Sequence, residues 1–334
     1  MIKNQENFSA GIGNTPLIKL KAASEITGCN IYGKAEFLNP GGSVKDRAAL
    51  ALIKDAQDKK LISKGGIVVE GTAGNTGIGL GLLGNSLGYK TIIVMNDNQT
   101  QEKKDILKNL GAELKLVPAK PFKDENNYVK VASRLAYELR PNNNNGVIWA
   151  NQFDNTADAK GHYEGTGKEI WDQTDGKVDA FICSSGTGGT ISGVSNALKE
   201  KNKNIKIYLS DPKGSSLYNY IKHGELKSEG NSITEGIGSS RITKNFENAK
   251  IDDAFSIDDH EALPILYDLI KNEGLSLGTS CGINIAGAIR LGKELGPGKT
   301  IVTILCDKSD KYASKMFNKK FLDEKGLNYP DWIK

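Results

Sequence analysis

Short apolar runs alternate with longer stretches of mixed polarity along most of this chain. Six runs read as strands: Ile67 to Val69, Thr91 to Met95, Ala112 to Val117, Val178 to Cys183, Ile205 to Leu209 and Thr300 to Leu305. Between them lie helix-length segments, of which Val44 to Gln57 is one. Strand and helix in regular alternation predict an α/β fold, with mostly parallel twisted sheets covered by helices. The chain has 334 residues, 38% of them hydrophobic, enough for two compact domains with cores of their own. The asparagine run Asn142 to Asn145, after Pro141, reads as a polar loop rather than a linker.

Two of the strand-to-helix junctions are rich in glycine. After Ile67 to Val69 the chain reads Glu70, Gly71, Thr72, Ala73, Gly74, Asn75, Thr76, Gly77; after Val178 to Cys183, from Ser185, it reads Ser-Gly-Thr-Gly-Gly-Thr-Ile-Ser-Gly. At such a junction unpaired backbone N–H groups and the helix dipole converge on an anion lying at the turn. A third segment, Asn39 to Arg47, places a lysine directly after a small-residue turn. Asn39 and Pro40 break the preceding extended run, Gly41 and Gly42 permit a tight backbone, and Ser43 is the expected helix cap. Lys45 then lies in the first helical turn, where the dipole disfavours an ammonium. A neutral amine there can form a Schiff base with an aldehyde.

Net charge is only +4, and the basic residues, nearly all lysine, are interspersed with acidic ones, so no nucleic-acid footprint is present. The four cysteines and three histidines have no metal-ligand spacing, and reduced thiols in a cytoplasmic protein are expected. No apolar run is long enough to span a bilayer, and no secretory or transit signal is visible at the start. Gly79, Gly81 and Gly84 formally match a dinucleotide-binding fingerprint. Their phase is wrong, because they fall inside the helix and not in the turn after the strand; close helix packing is the better reading.

Taken in order, these segments resemble the cysteine synthase (O-acetylserine sulfhydrylase) family of fold-type II pyridoxal-phosphate enzymes. Gly13 to Leu17, Asn151 to Phe153 and Gly278 to Gly282 extend the resemblance over nearly the whole chain. It implies two domains, each a mostly parallel sheet covered by helices as in the tryptophan synthase β subunit. Residues 40–150 would form the smaller, mobile one with the substrate loop, and residues 1–39 with 151–334 the larger one with the phosphate loop and a C-terminal extension.

The resemblance also implies roles. Lys45 would carry pyridoxal 5'-phosphate as a Schiff base and then act as general base. Gly186, Thr187, Gly188, Gly189 and Thr190 would cradle the phosphate, Asn75 would donate to the cofactor's 3′ oxygen, and Ser280 would face the pyridine nitrogen. Thr72, Ala73, Gly74, Thr76 and Gln152 would hold the substrate carboxylate, with Gly236 lining the site. Ala73 departs from the serine of many relatives. The implied reaction is β-replacement, in which O-acetyl-L-serine loses acetate to give an aminoacrylate and sulfide adds to yield L-cysteine. A homodimer is expected, with a serine acetyltransferase C-terminal tail as a further partner.

Ser239 to Thr243 departs from the apolar continuation of common cysteine synthases, and Arg241 there would suit an acidic or phosphorylated group, although a surface role is equally compatible. Asp307 to Asp310 replaces a frequent Asp-Ser-Gly pattern near the cofactor nitrogen, and Met316 to Lys334 resembles the extension of a divergent subgroup. Related readings therefore stay open: a cysteine desulfhydrase, a cystathionine-forming or O-phosphoserine-using enzyme, or a catalytically weak homologue that binds a partner.

Overall fold

The structure is a computed structural model that describes residues 7–72 and 74–333. Ala73, expected in the substrate loop, lies outside the described residues. Two compact units divide the chain: the segment ending at Gly13 together with Asn39–Gly161, and Asn14–Leu38 together with the chain from His162 onward.

The strands in chain order are β1 (Leu17–Lys19), β2 (Asn30–Ala35), β3 (Ile67–Gly71), β4 (Lys90–Asn96), β5 (Glu113–Val117), β6 (Val147–Trp149), β7 (Ala180–Cys183), β8 (Lys206–Pro212), β9 (Asp253–Ile257) and β10 (Thr300–Leu305). Four helices matter most for the site: α1 (Lys45–Asp58), α2 (Asn75–Leu87), α3 (Gly189–Lys201) and α4 (Thr279–Leu295).

The first unit holds a four-stranded, all-parallel sheet in the order β5-β4-β3-β6. β3 is one of its two inner strands, and there Val68 and Val69 are fully buried. The second unit holds a six-stranded sheet in the order β1-β2-β10-β7-β8-β9, parallel except for β1 against β2. All six sequence-predicted strands form. Sheets with helices on their faces bury strands on both sides, which is why five of these runs read as nearly continuous apolar segments; β5, at the edge of its sheet, instead leaves Glu113, Lys115 and Leu116 exposed.

α2 is poor in helix-forming residues, so packing must hold it. A Cβ at Gly79 would lie 3.2 Å from both the Lys45 carbonyl oxygen and the Ala49 Cβ, and one at Gly84 only 2.6 Å from Thr91 Oγ1. Both glycines let α2 approach its neighbours, and Gly79 sets it on the first turn of α1. Gly81 is ordinary: a Cβ there would meet nothing nearer than Leu110 Cβ, at 3.7 Å.

In the second unit Ile182, Leu266, Ile285 and Ile301 build the main core. Met316, Leu322, Leu327 and Ile333 from the C-terminal segment belong to the same cluster, and Tyr267 donates its phenol proton to the Met316 carbonyl at 2.7 Å. Burying these apolar side chains is worth about 1.5–3 kcal/mol each, so the extension is a structural part of this unit. Among the described residues no helix is long and apolar enough to cross a membrane.

Candidate active site

In the first unit the Asn39 side chain accepts the Gly13 N–H at 2.9 Å, and the Gly42 N–H returns to the Asn39 carbonyl at 2.8 Å. Gly42 sits at φ +79°, a conformation glycine adopts without steric cost. The helix begins one residue later than expected. Val44, not Ser43, occupies the N-cap position, and no side chain caps it. Ser43 still serves the helix entrance, because its Oγ accepts the Lys45 N–H at 3.2 Å. The Gly41 N–H meets Asp46 Oδ2 at 2.6 Å, closing the turn on itself. Lys45 is the first residue of α1 and half-buried, between neighbours that are fully buried.

β3 runs into the second glycine-rich turn. Thr72 donates its N–H to the Val94 carbonyl at 3.0 Å, and its Oγ1 accepts the Gly74 N–H at 3.2 Å. Gly74 caps α2 without a side chain, leaving the first-turn amides of Asn75, Thr76 and Gly77 at the helix entrance, of which Gly77 bonds back to the Gly74 carbonyl at 3.0 Å. The structure brings Thr76 and Gln152 together, with Thr76 Oγ1 donating to Gln152 Oε1 at 2.5 Å. Gln152 Nε2 reaches the Gly71 carbonyl at 3.5 Å. Asn151, just before it, holds φ +52°, a sparsely populated conformation for a non-glycine residue.

Behind this loop lies a residue that no sequence motif singles out. Glu70 is 0% exposed, and neither carboxyl oxygen closes a hydrogen bond of ordinary geometry. Burial pushes its carboxyl up to about 8, opposed by the amides of Asn151 and Gln152, the Gln152 side chain and the Gly71 amide.

In the second unit β7 leads into the third turn. Gly188 is the αL residue that starts α3, at φ +91°, and a Cβ there would lie 2.6 Å from the Phe246 nitrogen. A Cβ at Gly186 would strike the Gly236 carbonyl oxygen. Thr187 Oγ1 accepts the Gly189 N–H at 3.3 Å, and Thr190 Oγ1 lies 3.2 Å from His162 Nε2. The loop is tied from outside: the Gly238 N–H donates to the Ser185 carbonyl at 2.8 Å, and Thr243 Oγ1 to the Thr187 carbonyl at 2.6 Å. Gly236 takes φ +77° in this later segment. Arg241 is half-buried, its N–H bonded to Ser239 Oγ at 3.1 Å.

Ser280 occupies the first turn of α4, 4% exposed, and does not cap it; Gly278 is the N-cap residue. Thr279 beside it buries a hydroxyl with no partner among the described residues. Cys281 is wholly buried in the core, and burial, then Cys306 and Asp307, raises its thiol well above the usual range, which suits a packed residue and not a nucleophile. Asp307 is buried below, accepting the Tyr312 phenol proton at 2.6 Å, and burial and that carboxylate together raise the Tyr312 hydroxyl.

Residues 8–307 match the family model described as "Pyridoxal-phosphate dependent enzyme". The chain is 48% identical to cysteine synthase 1 of Neurospora crassa and 49% identical to cysteine synthase 1 of Emericella nidulans, in each case over 96% of this chain and 86% of the relative. The chain belongs to the cysteine synthase family of pyridoxal-phosphate dependent enzymes. Among solved structures, a hydrogen sulfide-producing enzyme from Fusobacterium nucleatum superposes with a TM-score of 0.82 at 33% identity, covering 93% of this chain and 98% of that one.

A family member must hold the cofactor phosphate, and the turn from Gly186 to Thr190 fits that need. Side chains are absent where the backbone must come close, and the first-turn amides of α3 have no intrahelical acceptor. The unpartnered buried hydroxyls of Ser185 and Thr279 add polar atoms beside the two second-unit motifs. Among the described residues no cluster of three or more metal-ligating side chains occurs.

Proposed function

We propose that this enzyme forms L-cysteine from O-acetyl-L-serine and sulfide by β-replacement. The observation that carries this reading is the near-full-length likeness to two cysteine synthases, 48% and 49% identical over 96% of this chain. Bound pyridoxal phosphate supplies an electron sink for negative charge at the substrate Cα.

Each group in the chain then has a task. Lys45 Nζ anchors the cofactor and, once released, takes the proton from the substrate Cα and can return it, a role typically worth about 10²–10⁴-fold. Its place on the first turn of α1, with Gly79 letting α2 pack against its carbonyl, supports this assignment. Backbone amides from Gly186 to Thr190, with the Thr187 and Thr190 hydroxyls, hold the phosphate. Asn75 orients the cofactor's 3′ oxygen. Thr72, Ala73, Gly74, Thr76 and Gln152 receive the substrate carboxylate, and Gly236 and Arg241 line the leaving-group side. The Ser280 hydroxyl serves the ring nitrogen; unlike an aspartate it does not hold that nitrogen protonated, which favours loss of a β-substituent over transamination.

The smaller mobile domain of residues 40–150, a homodimer, a cytoplasmic location and docking of a serine acetyltransferase tail belong to the same reading, on the strength of family membership. A second activity, release of sulfide from cysteine, is favoured by the likeness to the hydrogen sulfide-producing enzyme.

The test has two parts. Borohydride reduction of the holoenzyme followed by peptide mapping should place the cofactor on Lys45, and Lys45→Ala should abolish turnover; an adduct on another lysine overturns the site. Assays of O-acetylserine with sulfide, against cysteine alone, should show cysteine formation as the faster reaction. Faster sulfide release reverses the assignment.

A further inference from the structure

We propose that Glu70 is a positioning residue that sets the direction of a hydrogen-bond relay running through Gln152 to the Thr76 hydroxyl, and so controls whether that hydroxyl donates to the substrate carboxylate. The proposal rests on the reading of Thr76 and Gln152 as carboxylate-binding residues.

Geometry supplies the relay. Glu70 lies near the end of β3 with its carboxyl fully buried and neither oxygen closing a hydrogen bond of ordinary geometry, close enough to the Gln152 side chain for that group to act on its carboxyl, while Gln152, 4% exposed, contacts Thr76 Oγ1 at 2.5 Å. In the arrangement observed Gln152 Oε1 accepts the Thr76 proton and Nε2 points to the Gly71 carbonyl at 3.5 Å. Thr76 then has no proton to offer an anion. Turning the Gln152 amide over exchanges oxygen and nitrogen at almost no steric cost. Nε2 now donates to Thr76 Oγ1 and gives up its long 3.5 Å contact with the Gly71 carbonyl, the Thr76 proton is released towards the substrate, and Oε1 faces Glu70. That second arrangement needs a donor at Glu70, which a carboxylic acid supplies and a carboxylate does not.

The carboxyl is poised for this. Burial raises it to about 8, so the acid form predominates at neutral pH and is lost above it. The groups acting on it after burial are the Asn151, Gln152 and Gly71 amides and the Gln152 side chain, with no charged side chain among them. The flanking strands present apolar positions, Ile93 on β4 and Ala150 after β6. Because the Gly71 and Thr76 contacts both come from the same unit, the relay needs only β3, α2 and the segment after β6.

The experiment titrates holoenzyme with L-serine by its absorbance change at pH 7 and pH 9, for the parent, Glu70→Gln, Glu70→Ala and Thr76→Val. Glutamine can donate at both pH values. The ratio of the parent's dissociation constant to that of Glu70→Gln cancels titration of serine itself and should rise about 3- to 10-fold from pH 7 to 9, the worth of one hydrogen bond. Glu70→Ala should bind serine more weakly than Glu70→Gln at pH 7. A ratio that stays constant, even if melting temperatures shift with pH, makes Glu70 merely structural and overturns the proposal. If Thr76→Val binds serine as the parent does, the carboxylate reading of the loop itself falls, an outcome separate from failure of the relay.

Discussion

Asn284 holds the entrance of the glycine cradle: its Oδ1 accepts the Ser184 N–H at 2.7 Å while its Nδ2 donates to the Ile304 carbonyl, also at 2.7 Å. It is fully buried in α4, just beyond the Gly278 to Gly282 segment, and bridges the ends of β7 and β10. Asn284→Ala takes the side-chain acceptor from the Ser184 N–H and leaves the Ile304 carbonyl only a long contact from the Cys306 thiol, at about 1–3 kcal/mol for a buried polar group left unsatisfied. Calorimetry should show a lower Tm, and equilibrium dialysis should show weaker retention of pyridoxal phosphate. Unchanged retention would mean that the cradle keeps its shape without this bridge.

Gly188→Ala should be more severe for the cofactor than for the fold. The substitution forces an alanine to φ +91° and drives its Cβ against the Phe246 backbone. Release of that strain moves the turn proposed to receive the phosphate. The purified variant should carry substoichiometric cofactor, read from its absorbance, while far-ultraviolet circular dichroism stays close to the parent.

Stability should fall as pH rises from about 4 to 7, in part through Asp211. This carboxyl is fully buried at the end of β8, and burial pushes it up to about 7 against the pull of the Tyr218 amide, the Ser215 hydroxyl and the Leu217 amide. A carboxyl with its folded pKa above the unfolded value binds its proton more tightly when folded. Its contribution is therefore complete below the unfolded pKa near 4 and lost as pH passes the folded value near 7. Asp211→Asn should flatten the decline of Tm between pH 5 and 8. An identical slope in both proteins would assign the decline to other groups.

Arg241→Ala should discriminate between activated serines. The Ser239–Arg241 turn is fixed by reciprocal bonds, Ser239 Oγ donating to the Arg241 carbonyl at 2.6 Å and accepting the Arg241 N–H at 3.1 Å. A guanidinium carried on a fixed turn suits a phosphoryl group, and losing a bond to a charged group costs about 1.5–3 kcal/mol, roughly 10–100-fold in kcat/KM. Use of O-phosphoserine should drop by that factor and use of O-acetylserine should not. Equal small effects on both substrates return Arg241 to a surface role.

The strands legible in the sequence are, apart from the exposed edge strand β5, those buried on both faces. β6 spans only Val147–Trp149, and β9 (Asp253–Ile257) mixes buried with half-buried, partly polar positions, so neither stands out as an apolar run. Glycine turns at strand ends carry a local signature, which is why the cradle and the Asn75 turn can be located from sequence. The local pattern puts the cap of α1 at Ser43, one residue early, because Asp46 closes the turn through Gly41, a choice that the pattern leaves undecided. Glu70, Asp211 and Asn284 are invisible for a shared reason. A polar residue at a strand end or inside a helix looks solvated until the fold decides what covers it, and all three are covered completely.

The two outside ties on the phosphate turn, Gly238 to Ser185 and Thr243 to Thr187, fix the ends of a short span that contains Ser239, Ser240, Arg241 and Ile242. The departure from common cysteine synthases expected from the sequence, Ser239 to Thr243, covers all four and the second tie. Tied at both ends to the turn proposed to hold the cofactor phosphate, the span has the layout of an exchangeable cassette: its interior can diverge towards a new acceptor or leaving group while the two ties keep their register. Transplants between relatives should therefore be cut inside Gly238 and Thr243, because a graft that replaces either anchor changes cofactor retention along with substrate choice.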